Sequence, residues 1–274
     1  MNAPMILLYV PVAAAYLLAA WIEWHRLTQP PMGSSPARFA VAQTWLPPIA
    51  IAGHAALLAQ TLFAAGGLDL SVANAFSAVE WIIAIVAWLG TRSRALPGVA
   101  SIAFPVAAAG AALPMLFPAG PRFAFTEPWA ALHVAVAFVA YALLIVAALQ
   151  ALVLTVLERR LHRGLTEPGS ASLPPLLTLE HFLFRLLGGG FVLLTLTLIS
   201  GVLFSEQLFG KPVTYSNKIV FSVLSWLVFA ALLLGRRRYG WRGRVALNWI
   251  LAGSSLLLLA YFGTKLLPES AFGA

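Results

Sequence analysis

Long apolar runs, broken by short polar joins, repeat along the whole chain. Read from hydropathy, they predict helices over approximately 4–24, 39–65, 72–90, 96–117, 129–157, 182–204, 217–235 and 245–267. Each run is roughly 20 residues or longer, enough for a helix to cross about 30 Å of hydrocarbon. A segment in hydrocarbon must satisfy its own backbone hydrogen bonds, and a helix does so unaided. Barrel strands would alternate apolar and polar residues over about ten positions, and no stretch does this. Proline and glycine mark the joins in "QPPMGSSP", "PAGPRF", "GLTEPGSASLPP" and "FGKPV". The expected fold is therefore all-α: a polytopic transmembrane helical bundle of about eight spans, with residues 1–274 as a single integral membrane domain. The first apolar run has no basic segment ahead of it, so it reads as a retained helix and not as a cleaved signal peptide.

Composition narrows the chemistry. Of 274 residues, 61% are hydrophobic and 9% charged, against about 25% charged in soluble domains. Cysteine is absent, which excludes disulfides, thiolate metal sites and a C-x-x-C-H haem attachment within this sequence. Haem held by histidine is untouched by that argument. There is no P-loop, G-x-S-x-G or H-E-x-x-H. The triple glycine at 188–190 lacks a nucleotide-binding context and reads as small residues for close helix packing.

The charges sort by side. Loops one, three, five and seven, with their helix ends, hold 13 of the 17 lysines and arginines. These are Arg26, Arg38, Arg92, Arg94, Arg159, Arg160, Arg163, Arg185, Arg236, Arg237, Arg238, Arg242 and Arg244. Arg122, Lys211, Lys218 and Lys265 fall on the other side. The positive-inside rule then puts both termini outside the cytoplasm. The cluster in "LLGRRRYGWRGR" becomes a cytoplasmic, juxtamembrane patch facing anionic headgroups of the lipid bilayer. A topology anchor accounts for its charge, and a specific ligand site is the sharper alternative. Nucleic acid is not an expected partner, since no nucleic-acid motif accompanies the charge.

Ionisable residues inside spans are costly and single out candidate positions. His133 lies about one turn into the fifth helix, where Thr126 and Pro128 supply start signals. Trp129 shares its face, with Tyr141 two turns further along. An imidazole there can ligate haem iron or act as an interfacial histidine bonded to water or a neighbouring helix. His54 and Glu80 lie about 16 Å and 12 Å deep on consecutive helices at 1.5 Å per residue, which predicts a pair. Such a pair serves a proton or ion pathway, an internal haem ligand backed by the carboxylate, or a structural contact. Lys218 either snorkels to the interface or faces a haem propionate. His25, His162 and His181 read as solvated.

The second half, residues 129–267, resembles the cytochrome c assembly (CcsA-like) family of haem-handling membrane proteins, and most closely its shorter YpjD-like branch. The matching text is "ALHVAVAFVAYALLIVAALQALVLTVLERRL", "LLTLEHFLFRLLGGGFVLLTLTLISGVLF" and "NKIVFSVLSWLVFAALLLGRRRYGWRGRVALNWILAGSSLLLLAYFGTKLL". The resemblance implies that His133 matches the family's outward-facing haem-ligand histidine. It sets Lys218 on the lysine of a W-D-P-K-E segment and Trp226 on a following tryptophan. Tyr215, Ser216, Asn217, Ile219 and Phe221 depart from that segment. Gly235 stands where the larger haem-lyase members carry a histidine, and "PESAFGA" where they carry a second outward one. A bis-histidine outer site is thus not completed from the matching positions, which argues against a self-sufficient haem lyase.

The expectation is an inner-membrane haem-handling accessory of cytochrome c biogenesis, with haem as cofactor and other assembly or membrane proteins as partners. The alternatives are a small-molecule or ion transport component using His54 and Glu80, and a docking or regulatory membrane subunit.

Overall fold

The computed structural model describes residues 3–28, 37–64, 67–117, 122–123, 128–162, 174–203 and 217–263. Thr126, Arg163, Lys211, Tyr215, Ser216, Lys265 and the 268–274 stretch lie outside these residues, as do the side chains of Arg38 and Arg122. Eight long helices are present among them: α1 Ala3–Thr28, α2 Ala37–Leu62, α3 Val72–Arg92, α4 Val99–Leu116, α5 Pro128–His162, α6 Leu176–Leu203, α7 Asn217–Tyr239 and α8 Gly243–Leu258. A π-helical turn, Leu259–Gly263, extends α8. Seven of the helices, α2 to α8, are long and apolar enough to cross a membrane. The architecture is an all-α polytopic membrane bundle.

Helix ends differ from the hydropathy reading for local reasons. The second helix stops at Leu62, because Phe63–Ala64 (β1) pairs antiparallel with Gly67–Asp69 (β2) in a small sheet. Arg122–Phe123 (β3) adds to its far edge, with Asp69 opposite Arg122. The Asp69 carboxylate accepts from the Ser71 amide at 2.9 Å, and Ser71 Oγ caps the Asn74 amide at 3.4 Å, which starts α3. The fifth helix runs past its apolar stretch to His162, since a basic last turn of Arg159, Arg160 and His162 suits the helix C-terminus. Hydropathy registers only the part that lies in hydrocarbon.

The chain divides into two compact units. Unit 1 comprises Met1–Ala124 and Val156–Leu183, and unit 2 comprises Phe125–Thr155 and Phe184–Ala274. In unit 1, α4 packs on α3 and α1, and α2 on α1 and α3. The buried faces of α3 and α4 are made largely of alanine: Ala75, Ala84, Ala87, Ala100, Ala103 and Ala107 are at most 1% exposed. Leu17, Trp45, Ile49 and Leu89 are more than half exposed. Lipid is as apolar as a leucine side chain, so helices in a membrane gain by close approach through small residues and leave the bulky ones outward.

Unit 2 follows the same logic at α5–α6 and α7–α8. A Cβ at Gly190 would lie 2.8 Å from Leu144 Cγ, and one at Gly253 would lie 2.8 Å from Phe229 Cε1. Both glycines let a neighbouring helix come close. Ser225 Oγ then reaches across to donate to the Gly253 carbonyl at 2.8 Å.

Candidate functional site

One end of unit 2 collects the start of α5, the end of α6, the start of α7 and the turn after α8. His133 Nδ1 lies 2.8 Å from Ser200 Oγ, and Ser200 Oγ donates to the Thr197 carbonyl at 3.1 Å. With the Ser200 proton on Thr197, Ser200 accepts from His133 Nδ1–H and the Nε2 lone pair is left for another partner; with that proton on Nδ1, the ring proton sits on Nε2. The neighbouring Gly201 leaves space for the ring, since a Cβ there would meet His133 Cε1 at 3.4 Å. His133 is half-buried.

Lys218, in the first turn of α7, is exposed. Its Nζ stands 5.3 Å from the centre of the Tyr261 ring, a cation–π contact. Tyr261 in turn meets Tyr141 edge-on at 6.2 Å, and Tyr141 hydrogen-bonds the Ser222 side chain. His133 bonded to Ser200, and Lys218 over Tyr261 with Tyr141 and Ser222 behind it, lie on helix ends of unit 2; sequence reasoning did not single out Ser200, Tyr261 or Ser222. The signals were slight: a Ser-Gly pair near a helix end, and the aromatic run "AYFG".

Trp129 and Trp226 stand apart from this group. Trp129 is 63% exposed and makes no hydrogen bond or ring contact among the described residues. Trp226 faces α6, where Nε1 donates to Thr195 Oγ1 at 2.8 Å and the indole stacks on Phe191 at 5.5 Å. It fixes the spacing of α6 and α7 about two turns deeper than Lys218.

Unit 1 holds a second polar group. His54 is fully buried; Tyr16 OH lies 3.2 Å from Nδ1 and Ser77 Oγ lies 2.9 Å from Nε2. The direct His54–Glu80 pair expected from depth is not made, because both ring nitrogens are already engaged. Depth sets the level of a side chain on its helix but not its azimuth, and at this level α3 presents Ser77. Glu80, 6% exposed, lies one turn on, where its Cβ and Cγ stand 3.1 and 3.2 Å from the position a Cβ of Gly110 would take.

Of the arginine cluster, Arg237, Arg238, Arg242 and Arg244 are exposed and Arg236 is partly buried. Among the described residues there is no group of three or more histidine, cysteine or acidic side chains able to hold a bare metal ion. Haem brings four nitrogen ligands of its own and asks the protein for one axial donor. A half-buried imidazole with Nδ1 tied to Ser200 fits that need, and the exposed Lys218 in the first turn of α7 suits a carboxylate-bearing ring.

Comparison with known proteins agrees with the helices. The chain is 35% identical over 142 residues to the inner membrane protein YpjD of Escherichia coli K12, covering 52% of this chain and 53% of that protein. It is 36% identical over 147 residues to an uncharacterized 28.8 kDa protein of Azospirillum brasilense, covering 53% and 54%. It is 29% identical over 218 residues to the cytochrome c biogenesis protein CcsA of Synechococcus sp. CC9902, covering 69% and 71%. The matched stretch spans about half the length of the first of these relatives. No solved structure matches. The family described as cytochrome C assembly protein matches residues 45–271, from within α2 onward. The chain thus belongs to the cytochrome C assembly protein family, as a multi-pass protein of the bacterial inner membrane.

Proposed function

We propose that the protein is a haem-handling accessory of cytochrome c biogenesis, binding or presenting haem at the His133 end of unit 2. The observation that carries this reading is the His133–Ser200–Thr197 chain, which occupies Nδ1; in the proposed site Ser200 accepts from Nδ1–H, and Nε2 is the nitrogen offered to iron. Haem bound there supplies an iron with an axial position for a neutral imidazole. Ser200 holds the ring orientation and tautomer, as the outer partner of a ligating histidine does. Lys218 supplies positive charge for a propionate, and Tyr261 holds the lysine in place through its ring. His133 would be the one iron ligand identified in this chain, and a second would come from water, a partner protein or a residue that the resemblance does not identify. Trp129 is a solvent-side aromatic able to cover the porphyrin, and Trp226 supports the site from below.

The accessory role, as against a complete haem lyase, is supported by Gly235. Larger members that the chain resembles carry a histidine there, yet any side chain at Gly235 would overlap the Trp241 ring. Orientation follows the arginines: we place the His133 end outside the cytoplasm, with both termini.

The test is the absorption spectrum of detergent-purified protein from haem-replete cells, oxidised and reduced, beside His133→Ala. A Soret band lost in the variant is expected. A colourless wild type, or a band unchanged in the variant, overturns the reading. A second reading, proton or ion transport through unit 1, is favoured by the buried Tyr16–His54–Ser77 chain beside Glu80. It predicts a flux that depends on Glu80 and is indifferent to His133.

A further inference from the structure

One helix hairpin occurs twice in this chain. In α3 and α7 the strings "FSAVEW" and "FSVLSW" begin at the same distance from the helix start, and "LGTR" and "LGRR" follow at the same distance again. The two stretches align without a gap from Phe76 and Phe221 to Gly98 and Gly243. Self-similarity of this kind marks a repeated structural unit.

The contacts repeat with the text. Trp81 Nε1 donates to the Ile51 carbonyl of α2 at 2.9 Å, and Trp226 Nε1 donates to Thr195 Oγ1 of α6 at 2.8 Å. The Leu96 amide donates to the Gly90 carbonyl at 3.3 Å and the Trp241 amide to the Gly235 carbonyl at 3.4 Å, and each side chain fills the space over its glycine. Gly98 and Gly243 both take left-handed backbone, at φ 76° and 58°. Ser77 and Ser222 are each tied to a tyrosine on the first helix of their unit. Ser222 meets Tyr141 directly, and Ser77 reaches Tyr16 through His54.

The copies differ in charge at one buried position. Glu80 and Ser225 are equivalent, and both lie against a glycine of the next helix. Ser225 Oγ donates to the Gly253 carbonyl at 2.8 Å, so a hydroxyl suffices to close the hairpin there. Glu80 puts its Cβ and Cγ 3.1 and 3.2 Å from where a Cβ of Gly110 would lie. Its carboxyl is buried and makes no hydrogen bond or ion pair among the described residues. An ionisable side chain inside a span is costly and points to function. The second copy shows that packing does not ask for it.

We propose that Glu80 is a proton-binding site of unit 1. The proposal rests on the polar group behind the transport reading and names its ion. A buried carboxyl with no ion pair in the chain takes its counter-charge from outside. Hard metal cations call for about six or more oxygen ligands, and α4, against which Glu80 lies, has no ionisable residue. The span of α2 brings His54, and α1 brings Tyr16 to that histidine, so both are already engaged with each other and with Ser77. A proton needs a single carboxyl oxygen.

The experiment applies dicyclohexylcarbodiimide, a lipid-soluble reagent that adds to protonated carboxyls, to the full chain in liposomes. Peptide mass spectrometry then locates the adduct. Glu80 is expected to carry at least about tenfold more of it than Glu158 and Glu180, which lie outside the apolar runs. Sodium chloride in place of choline chloride should leave the yield unchanged. Glu80→Gln keeps the shape of the side chain and should hold the melting temperature to within about 3 °C of wild type. Labelling of Glu80 no greater than of the other two overturns the proposal. Protection by sodium also overturns it, since the ligand would then be a metal ion. A larger loss of stability in Glu80→Gln overturns it as well, by returning the carboxyl to a packing role. Flux is assayed separately, so a labelled protein without flux ends the transport reading and leaves this site standing.

Discussion

His133 Nδ1 and Ser200 Oγ lie 2.8 Å apart, across from α5 to α6. In the proposed site Ser200 keeps its proton on Thr197 and accepts from His133, so that Nε2 is the imidazole nitrogen that stays unprotonated. Ser200→Ala should weaken haem binding about 10- to 100-fold, the usual cost of losing the outer partner of a ligating histidine. Ser200→Thr should keep most of the affinity, since it retains the hydroxyl. Titration of purified protein with haem checks the affinities. The ¹⁵N shifts of His133 in haem-free protein check the tautomer separately.

The packing of Trp241 on Gly235 makes a stability prediction. Gly235→Ala puts a methyl group into the indole ring, and overpacking of this kind costs about 1–3 kcal/mol. Trp241→Ala in the same chain should remove most of that penalty, because the two residues share one contact. Thermal unfolding of the four proteins in one detergent measures the coupling. Additive losses would mean that the ring does not occupy that space.

In unit 1 the hydrogen bonds run His54 to Ser77 and His54 to Tyr16. His54→Ala should destabilise by about 1–3 kcal/mol, leaving buried hydroxyls without their partner. The losses from His54→Ala and Ser77→Ala should be strongly non-additive, whereas those from His54→Ala and Glu80→Gln should lie closer to additive. A double-mutant cycle with the reverse order would restore the direct His54–Glu80 pair.

The absence of cysteine makes orientation simple to measure. Trp129→Cys and Tyr239→Cys place single thiols at exposed positions at opposite ends of unit 2 helices. A membrane-impermeant maleimide added to intact spheroplasts should label the first and spare the second until the membrane is opened. The opposite pattern would invert the topology.

The helices were legible because a spanning segment must be both long and apolar, and the eight runs gave α1 to α8 with errors only at their ends. The small sheet was not legible: Phe63–Ala64 and Gly67–Asp69 continue the apolar character of α2 and carry no alternation. His133 was found because an imidazole within an apolar helix is conspicuous. Ser200 and Tyr261 were not, because residues like these are common in spans and signal nothing about their neighbours. Azimuth is the missing quantity. In a soluble helix the polar face reports which side is buried, but in a membrane both faces are apolar and only the size of side chains differs. The same gap explains why depth brought His54 and Glu80 level without revealing that His54 Nε2 meets Ser77.

The central claim is that His133 Nε2 is an axial donor to haem iron. Chemical rescue tests it most directly. His133→Gly, purified without colour and then given haem with graded imidazole, should regain the Soret position and intensity of wild type as imidazole fills the space of the lost ring. Recovery should saturate, and Ser200→Ala should weaken it. A His133→Gly protein that binds haem as wild type does without imidazole would contradict the account, as would one whose spectrum imidazole leaves no different from haem in detergent alone.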